Sequence, residues 1–269
     1  MKNLLLVLAL LSSASSAMAE KILSFGIVPQ QSASKLARLW TPILEHISDK
    51  TGLKIRFSTA PDIPTFEKRL AAGQYDFAYM NPYHYVVFSK APGYRALNKA
   101  RDKRIKGILV VKKDSKISQL RNLDNSTLAF PAPAAFAASI LTRADLAADG
   151  VAFTPKYVSS HDSVYRAVAK GLYPAGGGVV RTFKNMAPEI RDQLKILWTT
   201  KGYTPHAIAV HPRLKQSDAQ KVQQALADMY QQPEGRQLLD NIKIKGFEIA
   251  SDHDWDDVRN LKLTDLSDL

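Results

Sequence analysis

The chain has 269 residues and no cysteine, which excludes disulfide bonds, a thiolate nucleophile and a thiolate-bound metal. Its 37 Lys and Arg residues against 25 Asp and Glu give a formal net charge of +12, which suits nucleic acid, an acidic membrane surface or a small anion as the partner. Nucleic acid is the least favoured of these, because the basic residues are scattered as on a solvated surface and no basic run with interleaved aromatic residues occurs.

The N-terminus has the pattern of an export signal. Lys2 gives a positive start, residues 4–11 form an apolar core too short to span a bilayer, and Ala17-Met18-Ala19 fits the small-x-small cleavage pattern. Residues 1–19 are therefore predicted to be a cleaved secretory signal peptide, with the mature protein beginning at Glu20 in the periplasm. No later stretch approaches membrane-spanning length, so the mature chain is expected to be soluble and large enough for two modest lobes.

Strands and helices alternate along the first part of the mature chain. The first helix has apolar residues at spacings of three and four from Leu36 to Ile47, which gives it one apolar face. In order, the pattern predicts a strand over residues 22–28, this helix, a strand over 53–58, a helix over 65–71 and a strand over 76–80. Such alternation predicts a sheet built by crossovers.

The second part of the chain repeats this alternation before it returns to the first lobe. A strand over 107–111 is expected to lead into a second lobe, and a strand over 207–210 to lead back, so that two crossings form a hinge. The remaining predicted elements are a strand at 128–130, a helix over 134–148, a strand near 157, a helix over 162–169, an extended segment over 176–180, helices over 217–231 and 233–241, and a short helix from 252. The predicted lobes are residues 20–106 with 208–269, and residues 107–207.

The chain also contains an internal repeat. Gly52 ends a predicted helix before an apolar strand, and Gly150 does the same 98 residues later. At the same offset, Gly73 and Gly171 each follow a helix and precede a strand that starts near a Tyr. Two matches in one register predict two similar α/β lobes, and the cleft between such lobes is a usual place for a ligand.

Candidate ligand-binding residues follow the ends of predicted strands, where open α/β sheets bind ligands. Gln30, Gln31 and Ser32 form the loop after the first strand and can donate from side chains and backbone, and Gln31 and Ser32 are taken as site residues. Tyr79 and Asn81 lie at the end of the strand over 76–80. Arg181 follows the extended segment near 180; it either faces the cleft or projects into solvent.

Three further features allow two interpretations each. Tyr203, in the second crossing, is expected to stack on or cover the ligand. His161 either contacts the ligand or belongs only to a helix start before Asp162. The run Gly176-Gly177-Gly178 lacks the GxxxxGK[ST] spacing of a phosphate-binding loop, and close backbone packing near the cleft explains it as well.

Six short segments stand in the order and spacing of a known family. They are Phe25-Gly26-Ile27-Val28, Lys50-Thr51-Gly52-Leu53, Ala60-Pro61-Asp62, Asp76-Phe77-Ala78-Tyr79, Ser160-His161-Asp162 and Ile196-Leu197-Trp198. Over nearly the whole mature region the chain resembles the phosphonate-binding periplasmic proteins of ABC importers. The resemblance implies an α/β, two-lobed periplasmic binding protein fold of type II, with two hinge crossings between similar lobes.

The resemblance also implies a changed ligand pocket. A Ser-Thr-Ser run that holds the phosphonate group in the family is replaced here by Ala135, Phe136 and Ala137. Two family tyrosines that reach the same group fall at Ile63 and Met80. The hydroxyl donors of the family are therefore missing from this end of the pocket.

Two features of that end are retained. The predicted helix start at Ala134 and Ala135 still offers free amides and a positive dipole end, which favour an anion. His161 matches the family's ligand-contacting histidine.

At the other end, the resemblance implies an inverted charge. The Glu and Asp that receive the amino group of an aminoalkylphosphonate in the family align with Arg181 and His206. An ammonium group would be repelled there, whereas Arg181 can clamp a carboxylate, sulfonate or phosphate oxygen pair. If His161 and His206 both face the anion, ligand binding should raise their pKa values and the complex should take up protons.

These features favour a binding protein over an enzyme. No GxSxG or HExxH motif is present and the six histidines are dispersed, so we expect no catalytic residues, no metal and no cofactor. The predicted function is capture of a small oxyanion lacking a free amine (phosphonate-like or phosphate-like, a sulfonate or a sulfur oxyanion) by a monomer that delivers it to an inner-membrane ABC permease. The alternatives are a ligand-sensing partner of a membrane sensor kinase and, more remotely, an exported enzyme.

Overall fold

The computed structural model describes residues 21–261, which form two β-sheets with helices packed on them. The predicted signal peptide lies outside the described residues. The strands in chain order are β1 (Ile22–Ile27), β2 (Lys54–Ser58), β3 (Phe77–Met80), β4 (Arg95–Ala100), β5 (Gly107–Lys112), β6 (Ser126–Phe130), β7 (Phe153–Tyr157), β8 (Ala175–Val179), β9 (Leu194–Thr199), β10 (Ala207–Val210) and β11 (Phe247–Ile249).

The α-helices lie mostly between the strands, as the alternating sequence pattern predicts. They are α1 (Ala33–Thr51), α2 (Ile63–Ala71), α3 (Pro82–Phe88), α4 (Thr142–Ala148), α5 (His161–Ala169), α6 (Val180–Lys184), α7 (Pro188–Arg191), α8 (Gln216–Asp228), α9 (Pro233–Asn241) and α10 (Asp256–Arg259). Short 3₁₀ segments cover Leu120–Leu123, Met229–Gln231 and Asp252–Trp255. Among these described residues, no helix combines the length and apolar character needed to cross a bilayer.

Each sheet belongs to one lobe. The first has the order β11-β4-β10-β3-β1-β2 and the second the order β7-β6-β8-β5-β9. In chain order β5 is the first strand of the second sheet, and β10 brings the chain back to the first sheet, where it pairs antiparallel to β3 and β4. Because both lobes contain strands and helices in alternation, the predicted α/β fold class is confirmed.

The predicted repeat is visible in the elements themselves. The parallel set β2-β1-β3 of the first lobe corresponds to β7-β6-β8 of the second. Helices α2 and α5 are both nine residues long and begin 98 residues apart. Each starts with the same cap, since the side chains of Asp62 and Ser160 accept the backbone N–H three residues ahead.

The four repeat glycines adopt one backbone conformation. Their φ angles are 71° at Gly52, 74° at Gly150, 62° at Gly73 and 72° at Gly171. A left-handed residue after a helix costs little only at glycine, which has no Cβ. The same local constraint therefore ends the corresponding helices of both lobes.

The helix predicted over 134–148 differs from expectation. Its first part, Phe136–Leu141, is π-helical, and only Thr142–Ala148 is α-helical. The carbonyl oxygens of residues 137 and 138 lie against strands β5 and β8, where a Cβ on Gly107 or Gly177 would come within 2.0 and 1.9 Å of them. Close backbone packing thus explains why residue 177 is a glycine, which supports the packing interpretation of the run Gly176-Gly177-Gly178 over a phosphate-binding loop.

The two crossings between the lobes lie side by side. Ile105 and Tyr203 exchange backbone hydrogen bonds, with N···O distances of 2.7 Å for the Ile105 amide and 2.9 Å for the Tyr203 amide. Near the second lobe, the Gly107 amide donates to Thr200 Oγ1 at 2.9 Å. The hinge is therefore a short antiparallel ribbon, which confirms the two predicted crossings.

The largest apolar core extends from the first lobe into the second. Within the first lobe, Phe25 stacks on Phe77 with 5.8 Å between ring centroids, and α1 covers them with Trp40. The buried π-helical segment Phe136–Leu141 of the second lobe belongs to the same cluster. The lobes are thus in contact, and the described conformation is closed.

Candidate functional site

The cleft between the lobes encloses two adjoining spaces. In the hinge-side space, next to the two crossings, the centre of a water-sized molecule can occupy about 40 Å³. In the alanine-lined space, against the segment over residues 135–138, it can occupy about 10 Å³. Ile105, Val179 and His206 line both spaces, so they are neighbouring parts of one cleft.

The hinge-side space is basic. Lys103 and Lys106 come from the first crossing and Arg181 from the second lobe, and no Asp or Glu of the described chain lines the space. Partial burial, with the positive charges of Arg181 and nearby lysines, lowers the pKa of Lys103. A cluster of cations without a neutralising carboxylate attracts an anion.

Arg181 bridges the two lobes. It is the second residue of α6, directly after β8, and its guanidinium donates a hydrogen bond to Gln30 Oε1 of the first lobe. The same group lies 5.9 Å from the centre of the Tyr79 ring. No Asp or Glu within residues 21–261 forms an ion pair with it, so its charge is available to a bound anion.

His206 lies in the wall between the two spaces. Its ring stacks on Tyr79 with centroids 4.8 Å apart and planes 13° apart. Burial, and secondly the charge of Arg181, holds the pKa of His206 well below its usual value, so the ring is neutral at neutral pH. Its Nε2 atom is buried and has no hydrogen-bond partner among the described residues.

His161 is the first residue of α5 and lines the alanine-lined space. Burial, with a smaller effect from Arg181, lowers the pKa of His161 to about 3. Its Nδ1 lies 3.0 Å from Thr182 Oγ1, which in turn donates to the Val179 carbonyl at 3.1 Å. This chain of hydrogen bonds fixes the orientation of a neutral imidazole.

The structure brings six of the ten predicted site residues to the cleft. The residues that line one of the two spaces are Tyr79, Asn81, Ala135, His161, Arg181 and His206. Arg181 therefore lines the cleft rather than projecting into solvent, and His161 lies where it could contact a ligand; ligand contact by these residues stays a prediction. Ala134 contributes only its carbonyl, which accepts a hydrogen bond from Asn81 Nδ2 at 3.0 Å.

The other three predicted residues lie elsewhere. Gln31 is buried between the lobes, where its Nε2 donates to Asp162 Oδ1 at 3.4 Å. Ser32 is exposed at the start of α1 and makes no capping hydrogen bond. Tyr203 packs edge-on against Phe136 with 5.8 Å between centroids, because its backbone is fixed in the hinge ribbon, and it does not line either space.

Sequence reasoning missed the two lysines that line the hinge-side space. In the loop of Gln30, Gln31 and Ser32 after β1, Gln30 rather than Gln31 points its amide oxygen at Arg181, a choice that depends on how the loop turns. Lys103 and Lys106 belong to the run Arg-Asp-Lys-Arg-Ile-Lys over residues 101–106. That concentration of charge in a predicted crossing was the available signal for a basic hinge.

Direct contacts hold the lobes together around the cleft. The His161 amide donates to the Gln30 carbonyl at 3.1 Å, and Lys35 Nζ donates to the Asn185 carbonyl. Asn81, whose Oδ1 also caps α3, contributes the bond to Ala134. These bonds join loops of the first lobe to helix starts and turns of the second.

The geometry defines a two-lobed ligand-binding protein with a hinge of two crossings. The family of periplasmic substrate-binding proteins of phosphonate ABC transporters matches residues 25–255. Because this match covers most of the sequence, the chain belongs to that family.

Individual relatives agree with this assignment. The phosphonates-binding periplasmic protein of Escherichia coli K12 is 25% identical over 276 aligned positions, which cover 94% of this chain and 80% of that protein. The binding-protein component of an ABC phosphonate transporter from Pseudomonas aeruginosa has a TM-score of 0.83 at 18% identity, covering 90% of this chain and 86% of that one. PhnD1 from Prochlorococcus marinus, solved with methylphosphonate, has a TM-score of 0.82 at 17% identity, covering 90% and 97%. These structural likenesses confirm the two-lobed fold.

Proposed function

We propose that this protein captures a small oxyanion in the interlobe cleft and delivers it to an inner-membrane ABC permease. The observation that carries the proposal is the basic hinge-side space, where Arg181 and Lys103 face no lining carboxylate among the described residues. Family membership supports the transport role. The ligand classes that fit are phosphonate, phosphate, sulfonate and sulfur oxyanions, all of which offer oxygen acceptors to a guanidinium group.

The same charges disfavour a free amine on the ligand. An ammonium group in the hinge-side space would lie near Arg181 and Lys103 without a carboxylate to receive it. Like charges at short range cost free energy, most of all where water is partly excluded. We therefore exclude aminoalkylphosphonates as the preferred ligands.

Four polar residues of the cleft have proposed roles. Arg181 supplies a planar pair of donors to the anion, and Lys103 adds a second positive charge from the hinge. Neutral His206 provides a buried ring nitrogen that has no partner within residues 21–261 and can exchange a hydrogen bond with a ligand oxygen. Gln30, which holds Arg181 across the cleft, sets the position of the guanidinium in the closed state.

The cellular setting follows from the N-terminus and the relatives. We propose cleavage of the signal peptide before Glu20 and release of a monomer into the periplasm, in keeping with the periplasmic relatives. Residues 20–106 and 208–269 would form lobe 1, and residues 107–207 lobe 2, a division that the strands of the two sheets support except that β10 of the first sheet already begins at Ala207.

Calorimetry on the mature protein, residues 20–269, tests the proposal. A thermal-shift screen against phosphate, phosphite, methylphosphonate, sulfate, thiosulfate and alkanesulfonates comes first, because ligand at a hundred times its dissociation constant stabilises by about 2.7 kcal/mol. Arg181→Gln should no longer bind the anions that stabilise the parent protein in this screen. Lys116→Gln makes the same change of charge on an exposed residue and should bind as the parent does. Binding of none of these anions, or equal binding by Arg181→Gln, would overturn the proposal.

A further inference from the structure

A second set of contacts between the lobes lies outside the two spaces of the cleft. From the first lobe it involves Gln31, in the loop after β1, and Lys35, in the first turn of α1. From the second lobe it involves Asp162, at the start of α5, and Asn185, directly after α6. None of these four residues lines either space. Their contacts join one protein group to another, so they act on the relative position of the lobes whatever the cleft contains.

Lys35 reaches across the interface from the first lobe. Its Nζ atom donates a hydrogen bond to the backbone carbonyl of Asn185. Burial lowers the pKa of the Lys35 ammonium group, and the nearby charge of Asp162 opposes that change. Lys35 is therefore a partly desolvated cation, and a carboxylate of the other lobe offsets part of the cost.

Asp162 is the matching carboxylate of the second lobe. It is the second residue of α5, and its Oδ1 accepts a hydrogen bond from Gln31 Nε2 at 3.4 Å. Burial raises the pKa of this carboxyl group, and the charge of Lys35, with hydrogen bonds from Gln31 and the Ser32 backbone, opposes the rise. All three of these groups belong to the first lobe, so separation of the lobes would replace them by water.

The charges at this interface make both members of the pair necessary. Arg38 of α1 and Arg166 of α5, both exposed, also act on Lys35. Without Asp162, closing would bring these positive charges of the two lobes together without the carboxylate that now offsets them. Without Lys35, Asp162 would be buried with less compensation. Removal of one member of such a pair costs more than removal of both, because the remaining charge keeps its burial and loses its partner.

We propose that Lys35 and Asp162 form an interlobe latch, a matched pair of charges outside the ligand space that holds the two lobes in the closed arrangement. Arg181 acts on a bound anion, whereas the latch acts on the closing equilibrium itself. A latch that favours the closed state strengthens binding of every ligand held between the lobes, by the same factor for each. The closing equilibrium is independent of the proposed function, and the effect on affinity rests on it.

A distance measurement between the lobes tests the latch without any ligand. The chain has no cysteine, so Glu45→Cys on α1 and Lys170→Cys after α5 place two spin labels at exposed positions, one on each lobe. Pulsed dipolar spectroscopy of the labelled mature protein, in buffer without phosphate or sulfate, should show a closed and an open population. Asp162→Asn and Lys35→Gln should each lower the ratio of closed to open protein by about threefold or more.

The double variant separates a charge pair from a merely structural role. Lys35→Gln combined with Asp162→Asn should give a closed-to-open ratio at least about threefold higher than two independent effects would give. Lys50→Gln on α1 and Glu189→Gln on α7 make the same changes of charge at exposed positions and should leave the ratio as it is in the parent. If Asp162→Asn does not fold, Lys35→Glu keeps the test, because it sets two carboxylates against each other and should lower the ratio further.

Three results of the distance measurement would overturn the latch. They are a parent protein with only an open population, single variants whose ratio equals that of the controls, and a double variant that shows two independent effects. Each of them leaves the proposed function standing.

Affinity gives a second readout. Asp162→Asn should weaken binding of methylphosphonate and of sulfate by one common factor, because Asp162 lines neither space. Unequal factors would show that Asp162 contacts the ligand, which also overturns the latch. Failure of every anion to bind the parent overturns the proposed function, and the label distances then decide on the latch alone.

Discussion

Tyr79 and His206 are stacked ring on ring, 4.8 Å apart and within 13° of parallel, at the junction of the first lobe and the hinge. The antiparallel pairing of β3 with β10, in which Met80 lies opposite Ala207, brings their backbones together. The guanidinium of Arg181, from the second lobe, lies over the Tyr79 ring, 5.9 Å from its centre. Opening the hinge would move Arg181 of the second lobe away from the Tyr79 ring of the first lobe.

This arrangement predicts a strong effect of reversing the charge at Arg181. Arg181→Glu should weaken binding of methylphosphonate or another scoring anion by on the order of 3 kcal/mol or more, because a carboxylate would then face the ligand. Calorimetry measures the change, with Lys116→Glu as the control for net charge on an exposed residue. Equal affinity of Arg181→Glu and the parent would show that the inverted charge has no role in binding.

The low histidine pKa values change the expected pH dependence of affinity. Burial holds the pKa of His161 at about 3 and that of His206 well below normal, so both rings are neutral before the ligand binds. An anion raises a nearby pKa, but the rise would have to be large before protons were taken up between about pH 6 and 8. From the sequence we expected the complex to take up protons when the ligand binds. From the structure we expect no proton uptake between about pH 6 and 8.

A permanently charged ligand makes that prediction clean. Affinity for 1-propanesulfonate should be constant between about pH 6 and 8, since neither the ligand nor the histidines titrate there. Calorimetry in two buffers of different ionisation enthalpy should give the same binding enthalpy after correction for the ligand's own heat. A difference between the buffers would show that a histidine becomes charged in the complex.

The same burial predicts acid sensitivity of the ligand-free protein. The pKa of His161 is about 3 in the folded state and near the ordinary value of about 6.5 in the unfolded state, so below about 6.5 the unfolded chain binds the extra proton. The free energy of unfolding should therefore fall as the pH drops from about 6.5 toward 3, by up to about 1.4 kcal/mol per pH unit for each buried histidine.

Urea unfolding at pH 7, 6 and 5 checks this, in a range above the titration of most carboxylates. His161→Asn removes the titrating ring and should make the decline with pH shallower, whatever its effect at pH 7. A free energy of unfolding that stays constant from pH 7 to 5 would mean that the folded protein binds protons at these histidines as readily as the unfolded chain.

Gly177 should be hard to replace. A Cβ at this position would lie 1.9 Å from the Ala138 carbonyl oxygen and 2.7 Å from the Phe130 ring. We expect Gly177→Ala to lower the free energy of unfolding by about 1–3 kcal/mol or more, because the π-helical segment must move off the sheet. Thr154→Ala, on an exposed position of β7 in the same sheet, serves as the control in urea unfolding. A stability loss no larger than that of the control would show that this contact is easily relaxed.

Closure of the hinge is open to a direct measurement. The described conformation is closed, with Gln30 bonded to both Arg181 and the His161 amide. A ligand that binds residues of both lobes should shift the population toward this state. Small-angle scattering of the mature protein should show a smaller radius of gyration with saturating ligand than without it. An identical radius under both conditions would count against ligand-driven closure.

The sequence by itself determined the fold to a large extent. Gly52 and Gly150, and Gly73 and Gly171, reveal the repeat because a left-handed residue after a helix is a local requirement that only glycine meets cheaply. The alternation of strands and helices and the two crossings follow from hydrophobic periodicity, which is also local. Arg181 could be proposed from its place after a strand and from its alignment with an acidic family position.

Only the tertiary structure decided which side chains share the cleft. Lys103 joins Arg181 because the hinge crossings pair at Ile105 and Tyr203, and Tyr203, held in the same pairing, lines neither space of the cleft. That His206 Nε2 has no hydrogen-bond partner in the described part of the chain depends on everything packed around it. Such properties arise from contacts between residues far apart in sequence. A local sequence pattern therefore does not show how deeply a side chain is buried, how far it lies from another side chain or whether it has a hydrogen-bond partner.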